Sequence, residues 1–168
     1  MDADTPTFKL REVAIATGWH LGTLRDYFVR GIFQWHEGEG KAVVAGATSR
    51  LSLRGAIRLA IAYELWSQGV SPRLAIEAAT IFTDFGNTAM SNDAGLTRLS
   101  GNLFKDGFDT LLLWRKDTGA RIVPAPSGQG IPIAQLFSTS QGERSAVSIV
   151  HLDQVVIRVM KELKIIGS

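Results

Sequence analysis

The stretch FKLREVAIATGWHLGTLRDYFVRGIF, residues 8–33, decides how the first half of the chain folds. Its apolar residues recur every three or four positions, which predicts two short helices. Gly18 lies between them, and Gly31 follows the second helix, where glycine commonly ends a helix. We expect the small Ala14 to let a second helix cross close by, and Leu24 to pack that helix back onto the first. This spacing predicts a helix-turn-helix.

The second helix has a polar arc on the side that faces away from the expected core. In a helix-turn-helix this helix enters the major groove of DNA, where such side chains meet base edges or phosphates. Trp19 is expected in the core instead. The arc consists of His20, Thr23, Arg25, Asp26, Tyr27 and Arg30.

The composition is that of a folded globular protein. Of 168 residues, 45% are hydrophobic and 20% are charged, which is enough apolar material for a core. The net charge is only +2, but residues 9–58 carry eight basic side chains against four acidic ones. The rest of the chain is therefore net acidic, and positive charge concentrates on the candidate DNA-binding segment.

Several classes of protein and site are excluded by the sequence. There is no cysteine, which excludes disulfides, thiolate metal sites and cysteine nucleophiles. Residues 1–7, MDADTPT, have no signal-peptide character and predict a frayed lead-in. No apolar run approaches the roughly 18 residues that a membrane-spanning helix needs. We expect a cytoplasmic protein that has no membrane partner.

Residues 34–49, QWHEGEGKAVVAGATS, combine two strand-like pieces with a glycine-rich tip. This pattern is typical of a β-hairpin wing. A phosphate-binding P-loop is rejected because Ala42 follows Lys41, where that loop requires serine or threonine. Glu37 and Glu39 are expected on a flexible tip that offers no pocket for acid–base chemistry.

Two longer helices and a polar stretch follow the wing. Ser52 is expected to cap a helix that stops at Gly69, and Pro72 to open a helix that ends near Gly86. The first of these helices is expected to bury an apolar stripe of Leu53, Ile57, Ile61 and Leu65. Residues 87–102 are rich in asparagine, serine, glycine and threonine, and predict a linker or loop.

The remaining residues have the pattern of a small α+β module. Residues 109–114 and 120–124 predict a hairpin joined by the turn RKDTG, and residues 146–152 predict a further strand. Asp153 is expected to cap a C-terminal amphipathic helix. The predicted fold class is α+β, with antiparallel strands in this second part.

Residues 8–76 resemble the DNA-binding domain of the MerR family of transcriptional regulators. FKLREVAIATG is similar to the family's first helix, and TLRDYFVRGIF is similar to its recognition helix. Arg50, Leu51 and Ser52 stand where the family usually has Arg-Tyr-Ser after its wing. The helix-turn-helix, wing and helix pair also occur in the family's order.

The resemblance implies a sequence-specific regulator that binds double-stranded DNA. It implies a winged helix-turn-helix domain over residues 8–86, followed by the α+β module over residues 103–168. Arg25 and Tyr27 would contact phosphates, while His20, Gly22 and Thr23 would lie nearest the base edges. The residues expected to contact DNA are His20, Gly22, Thr23, Arg25, Asp26, Tyr27, Arg30, Trp35, His36, Lys41, Arg50 and Arg54.

Family members dimerise through a long coiled-coil helix after this domain. Here residues 87–102 interrupt the chain, and no heptads are sustained. We therefore expect a homodimer or higher homo-oligomer that forms without a long coiled coil. The C-terminal module is expected to supply self-association, partner binding or the sensing of a small-molecule or protein effector. The resemblance also suggests a bacterial or phage-related protein that associates with the nucleoid.

Two other functions stay open. One is a DNA-organising protein of the excisionase-like or small-terminase-like packaging kind. The other is a protein–protein interaction module that has kept the fold, which Asp26 and the modest net charge would permit. His20, His36 and His151 lie far apart without a metal-ligand spacing. We therefore predict no metal site, no cofactor and no enzymatic activity.

Overall fold

The computed structural model describes residues 2–36, 39–40, 49–87, 95–105, 107–129, 131–132, 136–139, 142–143 and 146–167. Within these ranges the fold is α+β, with five helices and antiparallel strands, which confirms the predicted class. The chain forms two compact units. Residues 1–76 and 155–168 form the helical unit, and residues 77–154 form the sheet unit.

The helical unit contains five of the elements in full and parts of two others. The strands β1 and β2 pair antiparallel, with Phe8 opposite Leu51. The complete elements are β1 (Phe8–Lys9), α1 (Leu10–Thr17), α2 (Leu21–Val29), β2 (Arg50–Leu51) and α3 (Leu53–Ser67). Two helices begin or end in this unit, α4 (Pro72–Asp84) and α5 (Leu152–Glu162).

The turn after α1 needs glycine for two reasons. Gly18 has φ +87°, a left-handed conformation that favours glycine, and its N–H donates to the carbonyl oxygen of Ala14 at 3.1 Å. A Cβ at Gly18 would also lie 2.8 Å from the Tyr63 ring on α3. The turn between the first two helices therefore packs directly against the third.

An aromatic cluster fills the space between α2 and α3. The indole of Trp19 is buried, as predicted, and its Nε1 donates to the carbonyl oxygen of Leu59 at 2.8 Å. Four other aromatic rings have centroids within 5.6 Å of its own. They belong to Tyr27, Phe33, Tyr63 and Trp66. This cluster fixes the orientation of α2 within the unit.

The helix α3 begins at its predicted cap. The Ser52 hydroxyl accepts a 3.0 Å hydrogen bond from the N–H of Gly55, which satisfies an amide that the helix itself leaves unpaired. On α5, Arg158 forms a 2.7 Å ion pair with Glu64 of α3. The predicted apolar stripe of α3 is buried and consists of Leu53, Ile57, Ile61 and Leu65.

The lead-in before β1 is held in place, so the prediction of a frayed segment was wrong. The N–H of Arg54 donates to the carbonyl oxygen of Ala3 at 3.0 Å, and the N–H of Thr7 donates to that of Leu51 at 3.0 Å. Asp2 accepts from the N–H of Asp4 at 3.1 Å and closes a local turn. The segment therefore lies along the beginning of α3.

The sheet unit is built around one hairpin. Strand β3 (Phe108–Arg115) lies between β4 (Gly119–Pro126) and β7 (Ser148–His151), with antiparallel pairing on both sides. This confirms the predicted hairpin and the predicted third strand. A two-stranded pair, β5 (Ser138–Thr139) with β6 (Gly142–Glu143), precedes β7.

The middle of β3 is buried on both faces, which explains why residues 111–113 form a continuous apolar run. Leu111 and Leu113 point to one face and pack with Ala125. Leu112 points to the other face and is also buried. A strand covered on both sides has no polar alternation, unlike one with a solvent-exposed face. Cross-strand partners Ile122 and Val150 flank Leu112 and are buried with it.

Arg98 ties the predicted linker to the end of α4. Its side chain is buried, with only 3% of the residue exposed, and burial lowers its pKa to about 10. The guanidinium group remains charged at neutral pH and is satisfied by oxygen atoms 2.6–3.1 Å away. These are the carbonyls of Phe82, Phe85, Leu99 and Asn102 and the side-chain oxygen of Asn87. Residues 88–94 lie outside the described part of the chain.

The compact units divide the chain inside α4 and α5. The predicted functional domains, residues 8–86 and 103–168, have boundaries that differ from those of the compact units. They remain a prediction. Among the described residues, no helix has the length and apolar character that crossing a membrane would require.

Candidate nucleic-acid interface

The second helix, α2, has a buried side and an open side. Leu24 is fully buried and holds α2 against the core. His20, Gly22 and Arg25 are exposed, and Thr23 is half-buried. The side chains predicted to meet base edges therefore lie at the solvent-facing start of this helix.

The charges on α2 are partly paired. The guanidinium of Arg30 lies 2.8 Å from the carboxylate of Asp26, one helical turn away, and both side chains are exposed. This pair offsets the negative charge that Asp26 would present to a phosphate. Arg25 is exposed on the same helix, so Arg25, Asp26 and Arg30, which directly follows the helix, together carry a net charge of +1.

Tyr27 contributes to the core as well as to the surface. Its ring is half-buried and makes edge contacts with Trp19 and Phe33, at centroid distances of 5.6 and 5.1 Å. The backbone N–H groups of Ile32 and Phe33 both donate to its carbonyl oxygen and close the end of α2. Any contact of Tyr27 with a phosphate would therefore come from the phenol end of the ring.

The first residues after α2 pack onto it. The Trp35 ring stacks on Phe28 with centroids 4.0 Å apart and planes 16° from parallel. His36 is half-buried, and its Nε2 is buried without a hydrogen-bond partner in the described ranges. The wing itself falls largely on residues 37–38 and 41–48, so Lys41 and most of the predicted hairpin lie outside the described residues.

Glu39 is buried, so the prediction that it lies on a flexible tip was wrong. Its carboxylate accepts from the N–H of Ser52 at 2.9 Å, the Ser52 hydroxyl at 2.5 Å and the N–H of His36 at 3.0 Å. A Cβ at Gly55 would overlap this carboxylate. Burial raises the pKa of Glu39 above its ordinary value of 4.5, while the hydrogen bonds from Ser52 oppose that shift. Glu39 thus joins the base of the predicted wing to the cap of α3.

Both arginines after the wing contact the N-terminal residues. Arg50 is exposed, and its Nη1 donates to the carbonyl oxygen of Thr7 at 2.7 Å. Arg54 forms a two-pronged ion pair with Asp4, with N–O distances of 2.5 and 3.1 Å. Arg58, which also lies in the basic segment, is buried in α3. It therefore adds nothing to the exposed charge.

The sheet unit contains a cluster that sequence reasoning missed. His151 Nε2 lies 3.5 Å from Asp109, and His151 Nδ1 lies 3.8 Å from Asp153. One potential metal-ligand atom from each residue lies within 4.8 Å of the others. The closely spaced His151 and Asp153 were the available sequence signal.

Asp153 has a different role from the predicted one. The helix α5 begins at Leu152, so Asp153 lies in its first turn and does not cap it. Its carboxylate accepts a 2.6 Å hydrogen bond from the N–H of Thr110 on β3. Strand β7 pairs with β3 only as far as Leu111, opposite His151. Asp153 therefore satisfies the strand amide next to the last cross-strand pair.

An open cavity of about 570 Å³ lies beside the β3–β4 turn in the sheet unit. Buried Arg115 forms part of its wall and donates a hydrogen bond to the carbonyl oxygen of Leu136. Its lining combines apolar and charged side chains, contributed by Trp114, Arg115, Lys116, Asp117, Ala146, Val147 and Ser148.

Comparison with known proteins gives no family. Neither the protein-family models nor the curated proteins match this chain. The resemblance to the MerR family therefore rests on the sequence motifs alone.

Proposed function

We propose that this chain is a sequence-specific double-stranded DNA-binding protein that regulates transcription through a winged helix-turn-helix. The observation that carries the proposal is the orientation of α2. Its inward residue Leu24 is fully buried, while Arg25 and Arg30 are exposed on the other side. A short, rigidly held helix with an exposed basic face has the form that major-groove recognition requires.

The start of α2 is the part that would read base edges. His20 and Thr23 offer hydrogen-bonding side chains there, and Gly22 adds no side chain that would keep the helix from the groove. The exposed Arg25 and Arg30 would bind phosphates and fix the register of the helix. Trp35 would support this helix from behind through its stack on Phe28.

The remaining parts of the proposal follow from this role. A regulator of this kind acts in the cytoplasm on the nucleoid and commonly reads two half-sites, so we propose a homodimer or higher homo-oligomer. The cavity next to Trp114 and Arg115 is the proposed place for a small-molecule or protein effector. No metal, cofactor or catalytic step enters the proposal.

The first experiment measures the affinity for duplex DNA as a function of salt concentration. We expect wild-type binding to weaken linearly on a log–log plot, because each phosphate contact releases counterions. Arg25→Ala should make the slope shallower by about 0.9, the contribution of one phosphate contact. Arg73→Ala removes an exposed arginine from α4 and is the matched control. A wild-type affinity that does not respond to salt, or an unchanged slope in Arg25→Ala, contradicts the proposal.

The second experiment tests sequence specificity. Selection from random duplexes should yield a defined site for the wild type. Thr23→Ala and His20→Ala should relax preference at individual positions of that site while leaving the salt slope unchanged, because base contacts specify and phosphate contacts position. Recovery of no preferred sequence favours the DNA-organising alternative. Phased sites at recombination or packaging loci would favour it further.

One observation favours the protein–protein alternative. Val29 on α2 is 81% exposed and Ile15 on α1 is 68% exposed, so each of the first two helices has an aliphatic side chain open to solvent. A protein-binding module would use these residues in an interface. If wild-type protein fails to bind genomic DNA at low salt, this alternative replaces the proposed function.

A further inference from the structure

Arg50 and Arg54, two of the residues predicted to contact DNA, are both engaged by the chain's own N-terminal segment, residues 2–7. Arg54 pairs with the side chain of Asp4, and Arg50 donates to the backbone of Thr7. The segment is anchored between these contacts, because Ala3 accepts from the N–H of Arg54. Three separate contacts therefore place one acidic segment over both guanidinium groups.

The Asp4–Arg54 contact has the geometry of a phosphate contact. Nε and Nη2 of Arg54 face the two carboxylate oxygens of Asp4, at 2.5 and 3.1 Å. A guanidinium fork binds carboxylate and phosphate oxygens in the same two-pronged way. A DNA phosphate and the Asp4 carboxylate would therefore use the same donors and exclude each other.

The contact is also open to exchange. The Asp4 side chain is 59% exposed and that of Arg54 is 23% exposed, so water and mobile ions reach the pair. Ion pairs at such positions are weak, because solvent screens the attraction. A polyanion such as DNA, which presents many phosphates at once, is the kind of ligand that displaces a single carboxylate.

We propose that the N-terminal segment is an intramolecular competitor of DNA, which occupies Arg50 and Arg54 in the unbound protein and yields them to backbone phosphates. This inference rests on the proposed DNA-binding function. It assigns Arg54 as a phosphate-binding residue whose contact is regulated by Asp4. It also gives the acidic residues before β1 a role that the resemblance does not supply.

The first test measures duplex DNA binding by the full chain and its Asp4→Asn variant over a range of salt. The Asp4→Asn variant should bind DNA more tightly, because a phosphate no longer has to displace a carboxylate from Arg54. The slope of log affinity against log salt concentration should be steeper by up to about 0.9. Glu162→Gln removes an exposed carboxylate from the end of α5 and controls for the change in net charge. In an Arg54→Gln background, Asp4→Asn should give no further gain.

The possible outcomes distinguish a failure of this inference from a failure of the proposed DNA-binding function. Equal affinities for Asp4→Asn and Glu162→Gln overturn the inference and leave DNA binding intact. A gain that persists in the Arg54→Gln background also overturns it, because the effect would not pass through Arg54. Wild-type protein that binds no duplex at low salt defeats the proposed function, and the inference fails with it.

A second measurement uses the wild type and needs no substitution. A protease that cuts before aspartate should cleave at Asp4 faster when duplex DNA is added, since displacement of the segment exposes its backbone. Asp117, in the turn between β3 and β4, is the internal control and should be cleaved at an unchanged rate relative to DNA-free protein. Unchanged or slower cleavage at Asp4 contradicts the proposed competition.

Discussion

The indole Nε1 of Trp19 donates a 2.8 Å hydrogen bond to the carbonyl oxygen of Leu59, 40 residues later in the chain. Both residues are buried, and the bond joins the segment between α1 and α2 to the middle of α3. The position of α2, and with it the proposed DNA-binding face, therefore depends on a contact outside the helix itself.

Trp19→Phe should lower the free energy of unfolding by about 2 kcal/mol, because it removes this hydrogen bond and leaves part of the indole volume unfilled. Urea denaturation measures the change. Trp66→Phe alters a ring in the same cluster that is 41% exposed, so it should cost less. Equal losses in the two variants would show that the bond to Leu59 contributes little.

Gly18→Ala should destabilise the protein more than Gly31→Ala. Both glycines have positive φ, at +87° and +66°, so alanine is strained at either position by about 1 kcal/mol. Only at Gly18 would the new Cβ also press against the Tyr63 ring, whereas nothing lies within 4 Å at Gly31. Thermal unfolding of the two variants compares them directly, and a similar loss in both would contradict close packing of the turn on α3.

The buried carboxyl of Glu39 should make stability depend on pH. Burial raises its pKa above 4.5, so the folded chain holds this proton more tightly than the unfolded chain does. The free energy of unfolding should therefore fall as pH rises from about 4.5 through the raised pKa. Denaturation of wild type and Glu39→Gln at a series of pH values isolates this contribution from those of other groups.

In that comparison, the difference between Glu39→Gln and wild type should be greatest at low pH, where the wild-type carboxyl is protonated and its full stabilisation is present. The difference should shrink as the pH passes through the raised pKa of Glu39. A difference that grows with pH would mean that the three hydrogen bonds from Ser52 and His36 outweigh burial.

Arg98→Lys should cost about 3 kcal/mol of stability, although it conserves charge. A lysine ammonium has three donors and cannot reproduce the planar fork that serves the carbonyls of Phe82, Phe85 and Asn102. Arg73→Lys, at an exposed position on α4, should be nearly neutral. Chemical denaturation distinguishes the two. A loss at Arg98 no greater than that at Arg73 would show that lysine also satisfies these carbonyls.

The parts of the fold that were predicted correctly depend on neighbours in sequence. The cap at Ser52, the glycine turn at Gly18 and the hairpin from β3 to β4 are all specified within a few residues. Helical periodicity also identified the buried stripe of α3 and the burial of Leu24. Local rules of backbone conformation and side-chain spacing are enough for such features.

The features that were missed depend on distant partners. Glu39 lies in a glycine-rich polar stretch that resembles an exposed tip, and its burial follows from Ser52, 13 residues later. Arg98 lies in a polar tract, and its role follows from carbonyls at the end of α4. Neither partner can be identified from spacing or composition, because each is selected by how the elements pack.

The candidate DNA-binding site also combines features set by sequence neighbours with features set by distant partners. The exposure of His20, Arg25 and Arg30 was predictable, since they lie away from the buried residue Leu24 on a regular helix. Tyr27, predicted on the same polar arc, is instead half-buried against Trp19 and Phe33. The pairing of Arg54 with Asp4 joins residues 50 positions apart and left no signal in the sequence. The sequence shows how many basic residues a segment contains, but it does not show which oxygen atoms pair with them.

The bridge between Asn87 and Arg98 bears on how the protein can be studied. The backbone N–H of each residue donates to the carbonyl oxygen of the other, at 2.8 and 2.9 Å, so these two points of the chain are held together. Because the chain has no cysteine of its own, a single thiol introduced at the exposed Thr97, beside this bridge, would give a unique attachment point for a fluorophore, remote in sequence from α2.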